Sequence, residues 1–366
     1  MVEFDNFGPE KILTVYNPRV GLKGFVVIDN TAFGPGKGGI RMTKTVSVDE
    51  VAGLARAMTW KCILAELPFG GAKSGIVAND KELTPEKKTE LVKAFAEAVK
   101  VVSPSQYVAA PDMNMAESEM KLIAETNGDM KSVTGKPSSM GGLPHELGST
   151  GFGVFHAALV ALEHLGLKPE NISFAVEGFG NVGVFASKFL TEKGCKLVAV
   201  SDSKGTLYLE TGIDFKKLEK VKKETKSVVN YGEGKVLHSS EIVGIKCDLL
   251  VTAAIPDLIT EANYNKVCCK LIVEGSNIAI DYQTEELLHE KGILVVPDVI
   301  ANAGGVISSY VEYIGGTEQE MFKLVEEKIT KNTKEILEKS KQDSCSPRTT
   351  ATVIAEKRLM EKCGLC

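Results

Sequence analysis

The sequence predicts an α/β fold in two units, and three observations carry that prediction. Between residues 172 and 296 short apolar stretches alternate with helical ones. The stretches 172–176, 196–200, 248–251, 271–273 and 293–296 read as strands of a parallel, doubly wound sheet. A Gly178-Phe-Gly180-Asn-Val-Gly183 run stands between the first of those strands and the helix that follows. A chain of 366 residues, at roughly 150 per domain, makes about two domains and excludes one small module.

Taken in order, residues 25–28 read as a short strand. Residues 49–67 carry apolar side chains at helical spacing through Val51, Leu54, Ala55, Met58, Cys62 and Ala65, with Pro68 as the stop. A second helix is predicted over 85–102, its charged residues opposite Leu91, Phe95 and Val99, ending before Pro104. Residues 131–153 are rich in Gly, Ser and Pro and lack a period, which reads as a loop carrying a domain boundary. The first unit is therefore placed at 1–147 and the second at 148–344. Residues 317–341 are amphipathic, 343–347 interrupt them, and a last helix near 350–362 is expected in a segment, 345–366, that packs back on the first unit.

Composition narrows the function. Lys and Arg number 43 against 48 Asp and Glu, a formal charge of −5 with no long like-charged block, which argues against nucleic acid as a partner. No apolar run approaches a bilayer span, and the first residues lack the basic and apolar regions of a secretory signal. A cytoplasmic location is expected. Eight cysteines spread over a long chain are not a disulfide framework. Cys363 and Cys366 form a C-x-x-C, half of a zinc site, but a second pair at suitable spacing is missing, and no metal is expected.

The glycine run has a mechanical reading. Gly178 allows the tight turn after the strand, Gly180 lets backbone approach a pyrophosphate, and Gly183 permits close helix–strand packing while the helix N-terminus faces the anion. Asp202, 19 residues beyond Gly183 and at the end of the next strand, can bind the ribose hydroxyls of an adenosine. That favours NAD over NADP, although Ser201, Ser203 and Lys204 beside it offer groups for a 2′-phosphate.

Three lysines sit in glycine-rich or apolar settings: Lys37 in GPGKGGIR, Lys61 in MTWK and Lys73 in LPFGGAKSG. The Lys73 loop is not an ATPase phosphate loop, because Ala72 and Leu67 occupy positions where that motif needs Gly. Lys61 taken alone reads as a snorkelling lysine, its stem on the apolar helix face and its ammonium in water. If the three ammonium groups converge, repulsion and burial depress one pKa toward neutrality, as a general base requires, and together they form a receptor for carboxylates. Asp112, in APDMN behind Pro111, is a candidate proton carrier or, alternatively, the N-cap of a helix starting near Ala116.

In these segments the chain resembles the glutamate, leucine, phenylalanine and valine dehydrogenase family almost end to end. The resemblance rests on GPGKGGIRM, MTWK, LPFGGAKSG, APDMN, VTGKP, GSTGFGV, VEGFGNVG, SDSKG, VTAAI, VEGSN and PDVIANAGGV. It implies an N-terminal α/β substrate and oligomerisation domain, a Rossmann dinucleotide-binding domain, an active site in the cleft between them, and a homo-oligomer, a hexamer above all. It also implies Lys73 as the catalytic lysine, Asp112 as the proton-transfer carboxylate and Lys61 as partner of the substrate α-carboxylate. Thr150, Asn277, Asn302 and Ala253 then join Gly178, Gly180, Asn181, Val182, Gly183 and Asp202 in binding NAD or NADP. Glutamate enzymes of the family resemble this chain at Lys37 and Ser309, where branched-chain enzymes are apolar, and Ala110 is small; glutamate is thus favoured over leucine as substrate. GLKGFVVIDNTAFGP and the chain length are closer to leucine enzymes, and Ser74 stands where the family usually has Gly. A non-catalytic nucleotide sensor and a structural assembly protein are the rivals from other classes. Intact Lys73 and Asp112 argue against the first, and the absence of repeats against the second.

Overall fold

The computed structural model describes residues 2–364, the side chain of His145 apart. The chain forms two compact units, one running to Leu147 and including Val306–Met321 and the chain from Ile354, the other made of Gly148–Gly305 and Phe322–Val353.

The first unit contains β1 (Lys11–Asn17), β2 (Leu22–Asn30), β3 (Gly36–Thr43), α1 (Val48–Leu64), β4 (Gly70–Val77), α2 (Pro85–Val99), β5 (Tyr107–Pro111) and α3 (Glu117–Asn127). Its five strands form one sheet in the order β1-β2-β4-β3-β5. β1, β2 and β4 are joined antiparallel, whereas β4, β3 and β5 are parallel. Val26, Ile28, Ile40, Met42 and Ile76 from one face share a core with Phe95 of α2 and Met120 and Ile123 of α3. On the other face Phe25, Val27 and Val46 pack with Val51 and Ala55 of α1.

Local chemistry sets the helix ends. Ser47 accepts the Glu50 amide at the start of α1, where Asp49 and Glu50 lie in the first turn and oppose the helix dipole favourably. Thr84 does the same for α2 ahead of Pro85. Both helices stop three residues short of the proline-limited expectation; after α1 the chain turns at Glu66, whose φ is +50°. The second strand is longer than the four apolar residues that announced it, and β3, β4 and β5 were not expected as strands.

The second unit begins with α4 (Ser149–His164), followed by β6 (Ser173–Glu177), α5 (Asn181–Glu192), β7 (Lys196–Asp202), β8 (Gly205–Tyr208), α6 (Phe215–Thr225), β9 (Lys235–Leu237), β10 (Leu249–Thr252), β11 (Leu271–Glu274), α7 (Tyr282–Glu290), β12 (Leu294–Val296), α8 (Asp298–Ala301) and α9 (Gly304–Tyr313). Its sheet runs β12-β11-β10-β6-β7-β8-β9. The five strands from β12 to β7 are parallel. β8 is antiparallel to β7, because the Asp202–Gly205 corner is far too short for a crossover, and β9 is antiparallel to β8. Residues 149–153, read from sequence as loop, are the first turns of α4; their glycines are small enough for close packing, and a Cβ on Gly151 would meet Phe185 of α5 at 2.6 Å.

α10 (Glu318–Asp343) and α11 (Pro347–Cys363) complete the chain. Both pass from one unit to the other along their length, as does α9. Residues 306–321 group with the first unit, although the sequence placed them in the second. Phe69 holds them edge-to-face against Tyr310 and Tyr313, and Lys136 binds Glu312 in a buried ion pair at 2.6 Å. Among the described residues no helix is long and apolar enough to cross a membrane.

Candidate active site

Three parallel strands of the first unit build the site. The register sets Lys37 of β3 beside Gly71 of β4 and Val108 of β5, and Gly39 beside Ala110. Because side chains alternate along a strand, Lys37, Gly39 and Arg41 share one face with Lys73 and Ala110. Asp112 follows the end of β5 and is held there by a short bridge to Met115, whose amide donates to the Asp112 carbonyl at 3.0 Å.

The central pair is Lys73 and Asp112, Nζ to Oδ2 at 2.8 Å. Arg41 Nε donates to the same oxygen at 3.1 Å and binds Glu50 through its other arm at 2.7 Å. Burial alone would raise the Asp112 pKa, but the Lys73 ammonium and then the Arg41 guanidinium outweigh it and hold the carboxyl below its ordinary range. Asp112 does not cap α3: Ala116 stands at the N-cap, and its amide donates to Glu119. Gly39 makes the approach possible, since a Cβ there would lie 2.7 Å from the Pro111 carbonyl, 2.8 Å from Asp112 Cβ and 3.3 Å from Lys73 Nζ.

Lys37 is 1% exposed, and its ammonium donates to the Ala109 carbonyl at 3.0 Å. Burial drives its pKa from 10.5 to about 7; Cys62 and Glu312 pull it back up, while Lys73 and Lys136 push it further down. The lysine brought toward neutrality is thus the one deepest in the sheet. Lys61 lies half-buried in the last turn of α1, on the helix that covers this face; Thr59 of α1 is so close to Gly71 that a Cβ there would sit 2.1 Å from its hydroxyl. Ser309 is half-buried on α9, one turn before Glu312. Ser74 faces the opposite side of β4, where its hydroxyl meets Tyr107 at 2.7 Å, so it leaves the Lys73 face undisturbed. The Lys73 segment is a central strand and not the loop its glycines suggested.

In the second unit the turn from β6 to α5 meets the demands of a dinucleotide phosphate. Gly178 has φ +89°, a value that favours glycine. A Cβ on Gly183 would lie 1.9 Å from the Gly178 carbonyl, whereas nothing lies within 4 Å of one on Gly180. Backbone is therefore packed where the helix must meet the strand and open where an anion must reach the N-terminus of the 12-residue α5, which begins at Asn181. Val182 is close to the turn after β11, since a Cβ on Gly275 would meet its side chain at 3.0 Å. Asn277 in that turn accepts from Asn302 at 2.9 Å, and Thr150 at the start of α4 borders Gly305. The Ala253 amide is already engaged, donating to buried Glu177 at 3.1 Å.

Asp202 is enclosed more fully than its place at the end of β7 suggested. Oδ2 accepts from Lys222 Nζ at 2.6 Å and the Val228 amide at 2.8 Å; Oδ1 accepts from the Lys204 amide at 2.8 Å and Ser227 at 3.2 Å. Burial works against its charge, yet the Lys222 ammonium and the two amides keep the carboxyl below its ordinary range. Sequence reasoning also missed Arg41; its signal was the two-residue alternation Lys37, Gly39, Arg41. Among the described residues no group of three or more His, Cys, Asp or Glu could hold a metal ion. Cys363 is exposed, and Cys366 of the C-x-x-C lies outside the described residues.

A doubly wound sheet with this phosphate turn, in a chain that also carries a Lys–Asp pair fixed by arginine, defines a dinucleotide-dependent oxidoreductase. Residues 141–363 match the Glutamate/Leucine/Phenylalanine/Valine dehydrogenase model, and residues 9–128 match the dimerisation domain of the same family. The chain belongs to that family and is an amino-acid dehydrogenase. It is 40% identical over 347 residues to the glutamate dehydrogenase of Aeropyrum pernix, covering 90% of this chain and 83% of the relative. It is 38% identical over 346 residues to the NADP-specific glutamate dehydrogenase of Saccharolobus shibatae, covering 90% and 82%. Among solved structures, the hetero-hexameric glutamate dehydrogenase of Thermus thermophilus in its Leu bound form superposes with a TM-score of 0.86 at 27% identity, over 97% of this chain and 89% of that one.

Proposed function

We propose that this chain catalyses the reversible oxidative deamination of L-glutamate: L-glutamate, NAD(P)⁺ and water give 2-oxoglutarate, ammonium, NAD(P)H and a proton. The observation that carries glutamate over a branched-chain amino acid is Lys37, an amine buried on the Lys73–Asp112 face whose hydrogen-bond partner is a neutral carbonyl. Opposite an apolar substrate it would have no anion to offset its desolvation; a second substrate carboxylate supplies one. Ser309 assists that carboxylate, Lys61 takes the α-carboxylate, and Ala110 leaves room between them.

Bound NAD(P)⁺ supplies the acceptor for the hydride that leaves Cα. Asp112 moves protons at the substrate nitrogen, and Lys73, 2.8 Å away, takes a proton from the water that attacks Cα once it has handed its own ammonium proton to Asp112. Arg41 holds Asp112 in position and anionic. The β6–α5 turn, Gly178 to Gly183, holds the pyrophosphate, with Thr150, Ala253, Asn277 and Asn302 toward the nicotinamide.

The cofactor reading shifts from the sequence preference for NAD. All four acceptor positions of Asp202 are engaged within its own unit and its charge is balanced by Lys222. It therefore repels a 2′-phosphate weakly, and NADP is accepted at least as well as NAD. The working form is a homo-oligomer, a hexamer, acting in the cytoplasm. Replacing Lys37 by Leu together with Ser309 by Val tests the substrate assignment: kcat/KM for glutamate falls at least about 100-fold, roughly 2.7 kcal/mol. Retained glutamate activity in that variant refutes it.

A further inference from the structure

Arg348, in the first turn of α11, is half-buried among three buried carboxylates from three other elements of the second unit. Its Nη2 lies 2.7 Å from Glu274 Oε2 at the end of β11 and 2.9 Å from Asp298 Oδ1 at the start of α8, and its Nε binds Glu285 of α7. The three carboxylate side chains are 0%, 7% and 1% exposed, respectively. Burial pushes the Glu274 and Glu285 carboxyls up, and each retains one buried oxygen without a hydrogen-bond partner.

The cluster continues toward the turn after β11. Asp298 Oδ2 accepts the Ile278 amide at 2.9 Å, and the Asp298 amide donates to Glu274 Oε2 at 3.0 Å. Ile278 has φ +53°, a conformation that a β-branched residue adopts only under constraint, and its side chain is 44% exposed, so packing does not impose it. The Asp298 carboxylate at its amide and the Asp257 amide, which donates to its carbonyl at 2.9 Å, hold it there, and Arg348 fixes that carboxylate. The adjacent Asn277 is bonded to Asn302, which caps the far end of α8, so both ends of this four-residue helix are tied to the same turn.

We propose that Arg348 is a positioning residue for the nicotinamide half of the cofactor, clamping Asp298 so that the Asn277–Ile278 turn is held ready to meet it. This rests on the dehydrogenase reading and on Asn277 as a cofactor contact. Arg348 touches no reacting atom. Removing it releases Asp298, lets Ile278 leave its strained conformation and disorders the turn, while the phosphate turn at Gly178–Gly183 and the Asp202 corner stay intact.

The test is a fluorescence titration of the full chain with NADH and NADPH, alongside calorimetric titration with ADP, which carries the adenosine and phosphates without nicotinamide. In Arg348→Gln the Kd of the preferred reduced dinucleotide rises at least roughly tenfold while that of ADP changes less than about twofold, and Arg348→Lys, which keeps charge but not the planar fork, falls between. Thr349→Ala is the control. It removes the Thr349 hydroxyl bonded to Glu286 at 2.8 Å, weakening the seating of α11 without touching the cluster, and leaves both constants unchanged. Equal losses for dinucleotide and ADP, or no loss in Arg348→Gln, overturn the proposal. If Arg348→Gln fails to fold, the same split in Arg348→Lys decides. A wild-type chain that binds neither reduced dinucleotide overturns the dehydrogenase reading as well.

Discussion

Replacing Lys37 by Met should stabilise the protein while abolishing its use of glutamate. The lysine is fully buried, and burial moves its pKa from 10.5 to about 7. Between those values the unfolded chain holds a proton that the folded chain has released, so stability rises with pH across that window and is lost as pH falls from 10.5 toward 7. The linkage corresponds to roughly 5 kcal/mol at most, since each pH unit is about 1.4 kcal/mol. Met fills nearly the same volume and removes the titration, forgoing only the hydrogen bond to Ala109. Urea unfolding of wild type and Lys37→Met from pH 6.5 to 10 measures the difference. The variant is the more stable by several kcal/mol at pH 7, the gap narrows by about 1.4 kcal/mol per pH unit above that, and it closes toward pH 10. A variant less stable than wild type at pH 7, or a gap independent of pH, refutes a desolvated Lys37. A carboxylate bound beside it raises its pKa again, so glutamate uptake draws a proton and its KM rises above neutral pH.

Lys73→Ala and Asp112→Asn each lower kcat by at least about 100-fold while calorimetric titration shows the dinucleotide still bound, because the two residues belong to the unit without the phosphate turn; activity within roughly tenfold of wild type refutes their roles. Lys222→Gln leaves Asp202 uncompensated and shifts the NAD-to-NADP ratio of kcat/KM at least about tenfold toward NAD. An unchanged ratio means that the pair does not face the adenosine. Ser74→Ala breaks the contact with Tyr107 and costs about 1 kcal/mol in thermal unfolding with kcat unaltered, as the hydroxyl lies on the far side of the strand from Lys73.

The glycine turn between β6 and α5 was legible in the sequence because each glycine acts locally. The φ at Gly178, the open space at Gly180 and the contact of Gly183 with Gly178 all arise within six residues. The face that carries Lys37, Lys73 and Asp112 was marked out by residue type but not by geometry. Glycine is a poor strand former, so the Lys73 segment read as a loop and β3 was not read as a strand, although both lie inside the sheet, kept glycine-rich so that α1 and Asp112 can approach them. Arg41 escaped notice for the same reason, as its place beside Lys37 shows only once β3 is a strand. The enclosure of Asp202 was not legible at all: Lys222, Ser227 and Val228 lie 20 to 26 residues away, and only the folded α6 brings them to it. The Arg348 cluster likewise joins positions 50 to 74 residues apart.

The central claim, a dehydrogenase that reads a second carboxylate through a buried lysine, is tested most directly by wild-type kcat/KM for glutamate and leucine with each nicotinamide cofactor, followed as nicotinamide absorbance. Glutamate should exceed leucine by at least about 100-fold, the value of one charge-assisted contact at a buried site. Faster turnover of leucine than of glutamate would contradict the account, whatever the cofactor.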